Sequence, residues 1–212
     1  EHKLNSNFTD LILSAETGLD LYAIKNRPST DTNDNKYLDR LSLGLSIMSK
    51  KDMLYNFGKY NFLITPKFQI SSMHSTDRKD DIPNRDSSDF RFDQANLFLI
   101  NPYQGRDNIQ TNQRFNYGID NFTTSNVGDF YFFFGQSQKI GGTNNNILNS
   151  DKNRQSDFIS ELRWEISEKY NITYNSFLDH HNLAENYTSF ELSGKLSGIK
   201  YDFVHRSINK NI

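Results

Sequence analysis

The chain has 212 residues, room for one ordinary domain, with a formal net charge of -2 and no cysteine. That balance excludes a disulfide framework, a thiolate metal centre and the basic excess of a nucleic-acid binder. Only 35% of residues are hydrophobic and mean hydropathy is -0.75, yet Phe (17) and Tyr (11) are abundant while Pro (4) is scarce. A disordered chain would lack those aromatic residues, and a helical membrane protein would carry apolar runs of roughly 18 residues or more, which this sequence does not. A transmembrane β-barrel reconciles the two trends, because alternate residues face lipid while the others face a wet lumen.

In chain order, residues 17–25 alternate, with Leu19, Leu21 and Ala23 on one side, and the polar stretch 26–36 reads as a solvated loop. Residues 37–47 set Leu41, Leu43, Leu45 and Ile47 against Ser42, Gly44 and Ser46. Residues 60–70 keep the period with Tyr60, Phe62, Ile64, Phe68 and Ile70 on one face, and Pro66 predicts an edge, a bulge or a bend. Residues 71–110 read as a long structured loop in which the apolar knot from Ala95 to Ile100 fits a helical turn. Four more period-two segments follow at 111–124, 128–140, 156–167 and 170–180. In these, Phe130, Phe132, Phe134, Phe158, Leu162, Trp164 and Ile166 form the side expected to face lipid, against Asp129, Asp157, Glu161, Arg163 and Glu165. Residues 187–196 and 198–206 complete about nine strands, each near the length that a tilted bilayer-spanning strand requires.

The connections alternate in length. Residues 26–36, 71–110, 141–155 and 181–186 form the longer set, whereas 52–59, 125–127, 168–169 and 197 are short, the pattern of outside loops and periplasmic turns. Tyr37, Tyr60, Tyr117, Tyr170, Tyr187 and Tyr201 sit near strand ends, as in an interfacial aromatic girdle. The fold class expected is therefore all-β, an antiparallel meander in an open curved sheet that is part of a large transmembrane barrel.

One segment is more specific. It runs Ile82-Pro83-Asn84-Arg85-Asp86-Ser87, then Phe92-Asp93, Asn96-Leu97-Phe98, Asn101, Gly105, Asp107, and Arg114, Asn116, Tyr117, Gly118. It resembles the C-terminal barrel domain of the lipopolysaccharide-assembly (organic solvent tolerance) family of the outer membrane. Gly135-Gln136-Ser137, Ser156-Asp157-Phe158 and Asp179 continue the resemblance downstream. The sequence departs from the family pattern at Pro102, Arg106, Asn108 and Gln110, where the family carries Arg, an aromatic residue, Arg and Glu. The resemblance implies a barrel of about 26 strands in the cell outer membrane, carrying lipopolysaccharide. It also implies an LptE-like lipoprotein plug in the lumen and periplasmic bridge proteins reached through a separate N-terminal domain.

Residues 1–212 would then be a middle section of the barrel domain. Glu1 to Asn5 has no apolar leader, and the last residues lack the terminal aromatic usual in bacterial barrels. A signal peptide, a periplasmic jellyroll domain and the barrel ends would lie outside this piece. Asp86, Asp93, Asp107 and Arg114 are the polar residues expected to fix the loop's fold by charge-assisted hydrogen bonds over the lumen.

Catalytic motifs are absent from the sequence, so no enzyme and no cofactor are expected. His180-His181 is the one histidine pair, and adjacent residues at a strand end point to opposite faces, leaving no metal set without further ligands. Asp31 to Asn35 begins like a calcium loop, but Lys36 and Ser42 stand where Gly and the bidentate Glu are needed. Two other readings share the alternation: an outer-membrane porin or uptake receptor, and a soluble β-sandwich binding module whose apolar faces would meet between two sheets.

Overall fold

The computed structural model describes residues 2–5, 9–25, 35–76, 91–103, 105, 107–142, 154–167, 170–196 and 198–209. Eleven antiparallel strands among them form a single sheet: β1 (His2–Asn5), β2 (Asp10–Lys25), β3 (Asn35–Lys50), β4 (Met53–Phe57), β5 (Tyr60–Ser75), β6 (Asn112–Ser125), β7 (Gly128–Gly142), β8 (Phe158–Ser167), β9 (Tyr170–Leu178), β10 (Glu185–Leu196) and β11 (Ile199–Ile208). Neighbours in sequence are neighbours in the sheet, except that β3 and β4 both pair with β5. Among the described residues β1 and β11 do not meet, so the sheet is an open, curved meander with two edges. The nine expected strands are all present. β1 and β4 are additions, and β2 begins at Asp10 rather than Thr17.

Pro66 explains β4. The pairs Lys50↔Lys67 and Met53↔Ile64 share one register, so β3 and β4 are a single strand interrupted opposite the proline. Proline has no N–H to give the ladder. Asp52 takes the hydroxyl of Thr65 at 2.8 Å, and the amide of Lys51 reaches the carbonyl of Pro66 at 3.3 Å. The hairpin turn is thus Gly58-Lys59 rather than the whole of 52–59. Gly58 adopts a φ of 61°, which suits the first central position of a tight hairpin turn.

The short connections gather at one end of the sheet and the long ones at the other, as the length alternation predicts. At the short end Val127 donates its amide to the Ser125 hydroxyl, and that hydroxyl donates to the Gly128 carbonyl at 2.8 Å. The indole of Trp164 caps the same turn by donating to the Val127 carbonyl.

The two faces are the reverse of those of a soluble domain. On β3, Leu41, Leu43, Leu45 and Ile47 are 48–56% exposed, whereas Arg40, Ser42 and Ser46 are 3–5% exposed. Register carries the apolar face across the sheet: Ile47↔Ile70, Phe132↔Leu162, Phe130↔Trp164 and Leu162↔Tyr174 share it. Phe130 stacks on Trp164 at 5.1 Å and Phe134 on Phe158 at 5.3 Å, so these rings pack along one surface. No second sheet covers them among the described residues. Tyr187 departs from the girdle expectation. It pairs with Phe177 on the opposite, inner face and packs on the small apolar core there, because Phe177↔Tyr187 falls on the same parity as Ile159.

Candidate functional site

The inner, polar face is covered by the described part of the chain that leads into β6, from Arg91 onward. Its anchor is a single helical turn closed from both sides: Asp93 Oδ1 accepts the amide of Asn96 at 2.9 Å, and Asn96 Oδ1 accepts the amide of Asp93 at 2.9 Å. Such a reciprocal pair satisfies amides that a short turn leaves unpaired. The amide of Leu97 then reaches the Asp93 carbonyl at 3.0 Å, as the apolar knot predicts. The turn drives Leu97, fully buried, into a cluster with Phe92, Tyr103, Phe133, Ile159 and Phe177.

Glycines in the wall make room for it. A Cβ on Gly135 would stand 2.7 Å from Leu97 Cδ2, one on Gly118 would stand 3.3 Å from Phe98 Cζ, and one on Gly44 would stand 2.5 Å from Ile100 Cγ2. Gly118 pairs with Gly135, so two neighbouring strands offer bare backbone at the same height. Three apolar residues of the covering segment thus sit where the wall has no side chain.

Polar contacts pin the same segment. Ser137 donates to Asn116 Oδ1 at 2.7 Å, Asn116 donates to Gln69 Oε1 at 2.8 Å, and Gln69 donates to the Phe98 carbonyl at 2.8 Å. This relay follows the register Gln69↔Asn116↔Ser137 across three strands. Arg114, 2% exposed, donates to the carbonyls of Leu99 and Ile100 at 2.8 and 3.0 Å and lies over the Phe92 ring at 5.1 Å. Arg40 holds Asp20 at 2.8 Å and donates to the Asp107 carbonyl at 2.7 Å. Gln94 donates to the Tyr131 hydroxyl, which donates to Asp120, itself ion-paired with Lys67.

Of the sequence-expected site residues, Asp93, Asn96, Leu97 and Phe98 form the turn, and Arg114 grips it by charge-assisted bonds. Asp107 takes part through its main-chain oxygen. Gly105 lines a recess beside Asp20 and Ser42. Gly118 lies on β6 under Phe98. Tyr117 is also on β6 but faces outward, where its hydroxyl donates to Gln136, so it belongs to the wall rather than to the loop. Pro83, Asn84, Asp86 and Ser87 lie outside the described residues. Asn116, Gly135 and Ser137 stand in the family-like segments and Gly44 in the alternation of residues 37–47, but no role in holding the loop was expected of them; for Arg40 and Gln69 inward parity on period-two strands was the available signal. Gln110 is fully buried and its side-chain amide has no protein partner among the described residues.

The covering turn also walls an inner-face recess of about 510 Å³ with Arg91, Gln94, Glu161, Asn175 and Glu191 around it. Arg91 lies over the rings of Phe177 and Tyr187 at 5.0 and 5.3 Å. Salt bridges Arg163–Glu161 and Arg206–Glu191 follow the same inner face. Lining of this kind suits a solvated or protein-filled lumen.

Compared with known protein families, residues 2–209 match LptD, described as LPS transport system D. The chain belongs to the LptD family. Membership places it in the outer membrane and in lipopolysaccharide transport, a transport role rather than a catalytic one. A search of curated proteins found no match. The reversed faces, apolar outside and polar inside, are compatible with an outer-membrane barrel of this family.

Proposed function

We propose that this LptD chain is a wall segment, from the middle of the barrel domain, of the translocon that assembles lipopolysaccharide into the outer leaflet. The carrying observation is the reversed sheet: an apolar face left exposed and a polar face buried under the segment that Arg114 of β6 holds. On this reading Phe130, Phe132, Phe134, Phe158, Leu162, Trp164 and Ile166 face lipid, and Trp164 anchors the periplasmic boundary. The recess around Arg91 and Glu161 is where an LptE-like lipoprotein plug would lie. Periplasmic bridge proteins would deliver lipopolysaccharide through a separate domain, and no residue of this chain makes or breaks a bond.

Depletion of the full-length protein tests the role, with surface lipopolysaccharide expected to fall; an unchanged surface level under complete depletion would contradict it. Sidedness is tested by a photo-reactive residue at Glu161 or at its neighbour Leu162. Capture of a lipoprotein is expected from position 161 only, and capture from 162 alone would sink the assignment of faces.

A further inference from the structure

The histidine pair lacks partners in the sequence, but the fold supplies them. The β8–β9 ladder runs Ser160↔Ser176, Ile159↔Phe177, Phe158↔Leu178. One step further sets Asp157 opposite Asp179, on the inward parity of Ile159 and Phe177. Like charges directly opposite on a sheet repel and are destabilising. At this spot, however, a third group joins them: carboxylate oxygens of Asp157 and Asp179 and an imidazole nitrogen of His180 all lie within 4.8 Å of one another.

Both carboxylates are held in place by protein donors. Asp179 Oδ1 accepts the amides of His181 and Asn182 at 2.8 and 3.1 Å, and Asn186 Nδ2 lies 3.1 Å from each oxygen of Asp157. The His181 amide keeps the Asp179 carboxyl below the usual range, whereas burial pushes that of Asp157 up. Arg91 is the nearby fixed cation acting on Asp157. Two carboxylates thus meet an imidazole at a place where two loops converge.

We propose that Asp157, Asp179 and His180 bind one divalent first-row transition metal of the zinc class at the long-loop end of the sheet. The imidazole nitrogen selects against calcium and magnesium, which prefer all-oxygen shells. Three protein ligands leave a fourth position open to water or to a phosphate oxygen. The ion offsets the Asp157–Asp179 repulsion and staples the entry of β8 to the β9–β10 turn.

The test uses the full-length chain in lipid nanodiscs with zinc chloride alone, and magnesium chloride as comparator. Wild type is expected to take up one zinc equivalent more than His180→Gln or Asp157→Asn, with His181→Gln like wild type. Zinc should slow amide hydrogen exchange at residues 179–184 in wild type and not in His180→Gln. His180 lies on a surface turn, so its variant is expected to fold. Equal zinc uptake by wild type and His180→Gln, or no saturable uptake by wild type, would overturn the proposal.

Discussion

Leu97 rests on Gly135 so closely that a methyl group on the glycine would overlap its Cδ2 and crowd the Tyr117 carbonyl, 2.9 Å away. The leucine can yield, but the backbone carbonyl cannot. Gly135→Ala should therefore destabilise the folded barrel by about 1–3 kcal/mol, the usual range for overpacking. It should also raise protease cleavage within residues 91–110. Both are read on the full-length protein in detergent, and unchanged cleavage would mean that the segment does not pack on the wall as described.

Arg114 serves the Leu99 and Ile100 carbonyls from a single nitrogen, Nη2, while its flat guanidinium lies over the Phe92 ring. Arg114→Lys keeps the charge and a donor but loses the planar contact with Phe92. The expected cost is about 1–3 kcal/mol in the unfolding free energy read from a urea titration. A lysine variant as stable as wild type would show that charge alone, not the planar group, holds the segment.

Phe132 and Glu161 differ in face. Phe132→Arg should cost about 2–4 kcal/mol near the bilayer midplane and lower the yield of inserted protein, whereas Glu161→Gln should leave insertion unchanged. Equal insertion of the two variants would contradict a lipid-exposed Phe132.

Much of this architecture was legible because a strand with two unlike faces writes its period directly into the sequence. Leu41, Leu43, Leu45 and Ile47 against Ser42, Gly44 and Ser46 fix both the strand and its sidedness. The covering segment was legible only in part. Asp93, Asn96 and Arg114 stood out as polar residues in a recognisable order, but Arg40 and Gln69 act from strands 67 and 29 residues away from the carbonyls they bind. Such contacts follow from register, and register depends on how many residues each connection absorbs. The use of Gly44, Gly118 and Gly135 was hidden for a related reason, although all three stand in patterns the sequence shows. A Gly in a strand ordinarily reads as a bulge or a weakness, and its use as a seat for Leu97 appears only once the segment is folded over it. Asp157 and Asp179 are the same case at the sheet's end, brought together just past the last β8–β9 pair, Phe158↔Leu178, by a register that no local pattern announces.

Pro66 has a further consequence at the opposite end. Among the described residues β4 pairs with β5 alone, β2 starts level with Lys50, and the strand that β3 and β4 share is interrupted at Lys51 and Asp52, which still bond to Pro66 and Thr65 of β5. β5 stays laddered to β6 from Asn61↔Thr124 through Pro66↔Ile119, so it is β4 alone that ends the sheet on this side, with Leu54, Tyr55 and Phe57 exposed on it. Below Lys50 the wall therefore carries, among the described residues, a short strand edge with no neighbour on its outer side, while β5 itself is held from both sides.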